Sequence, residues 1–268
     1  MQKTQSICHN CLFIFLAFLL LCLSACIPVS TPRSTHITDP ALPLLRVGVT
    51  TTAPPLIFSK NETITGLEAD FARQFAQSIG KSAKFIKVDW SDQISALENN
   101  KIDIIMSGMT ITQSREYRIS FANPYIRSGQ ILLVRLKEKG QFSTGIYSLM
   151  NSNYVIGTVK NTTGDIFITS TLNHVKVKNF KKSQDAVDAL IDGDIDAFVY
   201  DAPMVCYYAA INENAILTPI LNLATEEYLA WGIRKEDTLL LNQANTFLQS
   251  LKDNQQLQQV IRKWIPYM

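Results

Sequence analysis

The chain has 268 residues, of which 47% are apolar and 18% charged, with a formal net charge of +2. A chain of this length can build two ordinary domains, each with its own core. The near balance of charge excludes the basic footprint of a nucleic-acid binder. The three histidines, His9, His36 and His174, are scattered with no metal-ligand neighbour at useful spacing, so neither a metal nor a cofactor is expected.

The chain opens with Lys3, an apolar run from Cys11 to Leu23, and the tetrapeptide Leu23-Ser24-Ala25-Cys26. That layout is a secretory signal, and its ending resembles a bacterial lipobox. The apolar run falls short of the roughly 20 residues a membrane-spanning helix needs. In this reading residues 1–25 are a signal peptide and Cys26 becomes the lipid-bearing mature N-terminus; a plain signal peptide or a short membrane anchor is the alternative. Residues 26–43, rich in Ser, Thr and Pro, read as a flexible tether that cannot bury enough surface to order itself. The expected place of work is the cell envelope, outside the cytoplasmic membrane, with the protein held to a bacterial membrane by acyl chains. Cys8, Cys11 and Cys22 lie in the signal, so Cys206 is the one thiol left and no internal disulfide is expected. Within Val205-Cys206-Tyr207-Tyr208 it reads as a buried, inert residue.

Order begins with the strand Leu44–Val49, after which Pro54-Pro55 breaks the chain and Ile64-Thr65-Gly66 reads as a turn. Leu67, Phe71, Phe75 and Ile79 recur every four residues and share one helix face, and Gly80 sits where helices end. A strand at Ala83–Val88, a helix at Ser91–Glu98 and a strand at Ile102–Met106 follow. This alternation predicts an α/β fold with largely parallel sheets.

The pattern then repeats. The stretch from Ala96 to Ser107 lies over the stretch from Ala189 to Tyr200, each copy a helix end, a polar turn, Ile-Asp and a buried strand. Arg46-Val47-Gly48-Val49 and Val155-Ile156-Gly157-Thr158-Val159 form a second pair. Any two βα units look somewhat alike; the sharper reading is two lobes of one design. In open α/β sheets ligands bind outside the carboxyl ends of the strands, so two such lobes would share one cleft.

After the first repeated strand come Gly108, Met109 and Thr110, then Thr112 as a helix cap with Arg115 in the first turn. A cation there gains nothing from the helix dipole. Its use is to grip an anion held at the same helix end, through the paired hydrogen bonds of a guanidinium on a carboxylate; the plain alternative is a surface arginine pairing with Glu116. After the second repeated strand comes Asp201, followed by Pro203. Its plain role is to cap a helix, and its sharper role is to accept from an ammonium group. Arg115 and Asp201 together define a clamp for a zwitterion.

The ordered series resembles the extracellular solute-binding proteins of ABC importers for polar amino acids. It runs through Arg46-Val47-Gly48-Val49, Gly66-Leu67-Glu68-Ala69-Asp70, Asp89-Trp90, Gly108-Met109-Thr110-Ile111-Thr112 with Arg115, Phe121-Ala122-Asn123-Pro124-Tyr125, Asn161-Thr162-Thr163, Asp201-Ala202-Pro203 and Lys263-Trp264. The resemblance implies the two-lobed periplasmic-binding-protein fold of type II. Lobe 1 would take residues 45–127 and 226–268, lobe 2 residues 128–225, joined by two hinge strands near Arg127–Gln130 and Asn222–Glu227. It implies that Arg115, with the N–H groups of Thr110 and Thr163, meets a ligand α-carboxylate. Asp201, the Thr110 hydroxyl and the Gly108 carbonyl would meet the α-ammonium, and Trp90 would pack on the aliphatic part of the ligand. Met109, Thr50, Ala53 and Val159 complete the expected ligand-binding set. Partners would be an amino acid and an ABC permease with its ATPase; the protein would be a monomer and not an enzyme.

Thr50 and Ala53 stand where members taking basic amino acids often carry an acid and an aromatic, and Val159 where glutamine binders can carry a lysine. Asn161 replaces a usual glycine, which suggests a different loop shape, and Asn123 replaces a usual aspartate near the hinge. The inferred pocket then holds no formal charge for the ligand side chain, and a charged tail would be desolvated without a partner. An uncharged ligand is favoured, glutamine first. A basic ligand such as arginine, a periplasmic dehydratase on the same fold, and a surface adhesin are the alternatives.

Overall fold

The computed structural model describes residues 42–267 apart from 151, 173, 213 and 215. The signal segment, Cys26 and the tether up to residue 41 lie outside the described residues. β1 (Leu44–Val49) fills the apolar run that opens the body. Beyond it β2 (Thr52–Ala53), β3 (Ile57–Lys60) and β4 (Thr63–Thr65) form a small antiparallel sheet where the sequence suggested only a break and a turn. Strands this short carry too little alternation to be read. α1 (Leu67–Ser78) buries Leu67, Phe71 and Phe75 as their spacing predicts. The chain leaves it through Gly80 at φ 68, a conformation open to glycine at no steric cost.

β5 (Ser82–Lys87), α2 (Gln93–Glu98), β6 (Ile104–Thr110), α3 (Gln113–Arg118), β7 (Ser120–Phe121) and β8 (Ile126–Ser128) follow. The next stretch holds β9 (Gln130–Arg135), β10 (Val155–Val159), α4 (Thr163–Thr171), β11 (Lys176–Phe180), α5 (Ser183–Asp192), β12 (Ala197–Asp201), α6 (Ala202–Ile211) and β13 (Leu217–Ile220). β14 (Glu227–Ile233), α7 (Thr238–Asp253) and α8 (Gln256–Trp264) close the chain.

The strands form two large sheets. One has the order β5-β1-β6-β14-β7, with β8 also on β14; the other has the order β11-β10-β12-β9-β13. In each the first three strands are parallel, and the fourth, which arrives from the other lobe, is antiparallel. This is the two-lobed α/β arrangement of type II, with sheets more mixed than the sequence suggested. The chain passes between sheets at Gly129 and again between β13 and β14. The two crossings are tied together: Gln130 N donates to Thr225 Oγ1 at 2.9 Å and Ala224 N to Gln130 O at 2.8 Å.

The repeat has a physical cause in both lobes. Arg46 N donates to Asp103 Oδ2 at 2.8 Å and Asp103 N to Arg46 O at 2.7 Å. Val155 N donates to Asp196 Oδ2 at 2.7 Å and Asp196 N to Val155 O at 2.8 Å. Each aspartate satisfies an N–H at the start of the neighbouring parallel strand, a group that must find a partner when covered. The isoleucine before it lies where the neighbouring strand offers no side chain. A Cβ on Gly48 would collide with Ile102, and one on Gly157 with Ile195.

One charge is fully buried in the first lobe. Glu68, on the inner face of α1, accepts from Gly108 N at 2.7 Å, Tyr125 Oη at 2.6 Å and Trp231 Nε1 at 2.8 Å. Around it Phe71, Phe75, Tyr125, Trp231 and Phe247 pack ring on ring. Burial outweighs the three hydrogen bonds and pushes the Glu68 carboxyl from 4.5 up to about 7. A raised folded-state value stabilises the fold fully below the unfolded value, and that contribution is lost as pH rises through about 7. Wild type is therefore expected to lose stability relative to Glu68→Gln between pH 5 and pH 8. Urea unfolding of both proteins at the two pH values measures this, and a constant difference would contradict it.

Candidate functional site

The carboxyl ends of the two sheets face a single cleft of about 530 Å³. Its walls include Thr50, Ala53, Trp90, Gly108 and Thr110 from the first lobe and Val159, Thr163 and Asp201 from the second. Eight of the ten expected ligand-binding residues thus meet in one space.

Met109 does not. It sits between Gly108 and Thr110 on β6, so its side chain leaves the opposite face of the strand. There it packs in a cluster with Leu97, Ile102, Ile105 and Ile119, as a core residue.

Arg115 stands behind the wall rather than on it. Thr112 caps α3 by accepting from Arg115 N at 3.3 Å, which fixes the arginine in the first turn. Its Nη1 donates to Thr110 O at 2.7 Å, and its guanidinium carbon lies 5.2 Å from the centre of the Trp90 ring. Stacking on indole and a carbonyl bond hold the cation while 91% of it is covered, its residual exposure being 9%. Among the described residues it forms no ion pair with Glu116; the carboxylates that act on it are Asp201 and Glu227.

Asp201 ends β12 at the N-cap position of α6, yet its side chain makes no capping hydrogen bond. Instead Oδ1 accepts from Gln130 Nε2 at 2.6 Å. Burial first, and the nearby Glu227 charge second, push its carboxyl from 3.8 up to about 8.

Glu227 and Gln130 entered the sequence reading only as ends of hinge crossings. In the structure Glu227 lies buried behind Thr110 and Thr163, which line the cleft. It accepts from Thr110 Oγ1 and Thr163 Oγ1, both at 2.9 Å, from Thr225 Oγ1 at 2.7 Å and from Gln130 Nε2 at 3.1 Å. Gln130 Nε2 also lies 3.1 Å from Thr163 Oγ1. An amide nitrogen has two N–H groups, too few for all these acceptors, which accords with the upward push on Asp201. Nothing local in Ala224-Thr225-Glu226-Glu227 sets Glu227 apart from Glu226, which is exposed and pairs with Arg127.

The loop at Asn161 keeps a glycine-like shape. Asn161 has φ 63, a left-handed value that asparagine tolerates better than most residues. The different shape suggested by the loss of glycine is therefore not what the structure has. Asn161 O accepts from Trp90 Nε1 at 2.9 Å, and Thr52 O from Ser183 Oγ at 2.6 Å, both across the cleft. Thr162 caps α4 through Asp165 N, which leaves the N–H of Thr163 among the unpaired donors of a helix start.

The expectation of an uncharged pocket does not hold for the outer wall. Lys87, Lys160, Lys181 and Lys182 line it, with Asp89 as the one acid beside them. All five lie at or just after strand ends whose direction into the cleft only the topology reveals.

A family model described as bacterial extracellular solute-binding proteins, family 3, matches residues 45–267. The chain belongs to this family. It is 30% identical over 205 residues to the ABC transporter glutamine-binding protein GlnH of Bacillus subtilis strain 168, covering 75% of this chain and 73% of that one. Among solved structures it is similar to the ancestral amino acid-binding protein AncCDT-1, a precursor of cyclohexadienyl dehydratase, with 30% identity, TM-score 0.77 and 83% and 95% of the two chains covered. It is also similar to holo ArgBP from T. maritima, with 31% identity, TM-score 0.71 and 82% and 95% covered. As a family 3 solute-binding protein it has its floor acids on both sides of the crossings that join the lobes, Asp201 in one sheet and Glu227 in the other.

The Asp201 carboxyl should respond to the charge on Glu227. Glu227→Gln keeps the shape and removes the charge that raises Asp201, so the Asp201 midpoint is expected to fall from about 8. Carboxyl-carbon NMR titration of the ligand-free protein checks this; an unchanged midpoint would mean that burial alone sets it.

Proposed function

We propose that this solute-binding protein captures a free amino acid outside the cytoplasmic membrane and hands it to an ABC permease. The observation that carries the reading is Asp201, a buried carboxylate at a helix start that is not used for capping and faces a cleft with Arg115 at its back. A ligand ammonium would replace the proton on Asp201, and a ligand carboxylate would take donors from Arg115 and the helix start at Thr163. The inner wall at Thr50, Ala53 and Val159 carries no charge and by itself fits an uncharged side chain such as that of glutamine. An arginine side chain would instead run out towards four lysines.

With each lobe supplying half of the shell, closure completes the contacts. Residues 45–127 with 226–268 would turn against 128–225 about the crossings at Arg127–Gln130 and Asn222–Glu227. The lipobox-like Leu23-Ser24-Ala25-Cys26 supports an acyl anchor on Cys26, with residues 26–43 as the tether of a monomeric body at a bacterial membrane. A second reading, turnover of a cyclic acid, draws on Asp201 held near 8, a value suited to proton transfer. Consumption of a cyclic acid without amino-acid binding would favour it.

Arg115→Ala and Asp201→Asn are each expected to weaken amino-acid binding more than tenfold while the fold survives. Truncating one partner of a buried charge contact costs about 2–5 kcal/mol. A thermal-shift screen finds the ligand and calorimetry on the variants measures the loss. Unchanged affinity in either variant would sink the clamp.

A further inference from the structure

Resting on that amino-acid reading, we infer that the ligand side chain ends in an anion, as in an acidic amino acid. The outer wall of the cleft carries Lys87 from the first lobe and Lys160, Lys181 and Lys182 from the second. Backbone pairing puts them there. Lys87 ends β5 in register with Val49, the residue before Thr50. Val159 and Phe180 are partners on β10 and β11, so Lys160 and Lys181 leave the sheet side by side.

The residues that bridge the cleft adjoin these cations in the chain. Asn161, which accepts from Trp90, adjoins Lys160, and Ser183, which donates to Thr52, adjoins Lys182. Among the described residues the lysines that meet a carboxylate are Lys137, Lys178 and Lys263. Among the described residues the acids lining the cleft are Asp89, exposed like the four lysines, and the buried Asp201. Bringing like charges from two lobes to one mouth opposes closure unless an anion lies between them. The floor, by contrast, holds two acids against Arg115 and suits an ammonium. A ligand with its ammonium at the floor and an anion at the mouth answers both ends, and the cationic mouth would also steer it in.

The test is calorimetry with L-glutamate, L-aspartate, L-glutamine, L-asparagine and L-arginine at low and high salt, on wild type and on K160Q/K181Q/K182Q. One of the two acids is expected to bind at least roughly tenfold tighter than its amide at low salt, with the ratio shrinking as salt screens the mouth. In the triple variant, with folding checked by its Tm, the acid-to-amide ratio should fall at least tenfold. An amide that binds as tightly as its acid, tightest binding of arginine, or a ratio unmoved in the folded variant would each overturn the inference while leaving amino-acid capture standing. Failure to bind any of the amino acids would overturn both.

Discussion

Two buried carboxylates and one buried guanidinium lie together at and behind the wall of the cleft, and among the described residues the second carboxylate has no counter-charge of its own. Asp201 and Glu227 are linked through Gln130, and among the described residues Arg115 is the cation that acts on both. Burying unmatched charge is costly, so such a group takes up a proton or a partner. The ligand-free protein meets the constraint by raising Asp201. A bound ammonium would meet it better, because it brings a full charge and several donors. The cleft therefore suits a cation beside Asp201, and the hydroxyls of Thr110, Thr163 and Thr225 all donate to Glu227 nearby.

The floor depends on the crossings. Gln130 starts β9 in one sheet and Glu227 starts β14 in the other, so each strand enters its sheet with a site residue first. Rotation of one lobe would move Gln130, Asp201 and Thr163 together against Glu227, Thr110 and Arg115. Glu68 stiffens the first lobe from beneath: it holds Gly108 N, while Arg115 holds Thr110 O. A buried acid and a buried cation therefore fix the segment of β6 that would contact the ligand.

Much of this was legible in the residues. The repeat at Ile102-Asp103 and Ile195-Asp196 could be read because one physical task, capping a parallel neighbour and filling the space over a glycine, needs the same residues in both lobes. Of the eight residues gathered at the cleft, Gly108, Thr110 and Asp201 followed from strand ends in a doubled α/β pattern, and Thr50, Ala53, Trp90, Val159 and Thr163 from the family resemblance. Glu227, Gln130 and the lysine-lined mouth were not legible. Their role comes from which strands lie side by side, and Lys181 or Glu227 looks locally like any solvated charge. Met109 was misplaced for the opposite reason: membership of a recognisable stretch does not say which face of β6 a side chain takes. The small β2–β4 sheet was missed because strands of two to four residues have no period to read.

The most direct measurement is proton release on binding. Asp201 is held near 8 in the free protein, so at pH 6.5 it carries a proton that an incoming ammonium must displace. Calorimetric titration of the bound amino acid in two buffers of different ionisation enthalpy counts it. The account predicts release of about one proton per ligand at pH 6.5, vanishing in Asp201→Asn. Binding at full affinity with no proton released would contradict it.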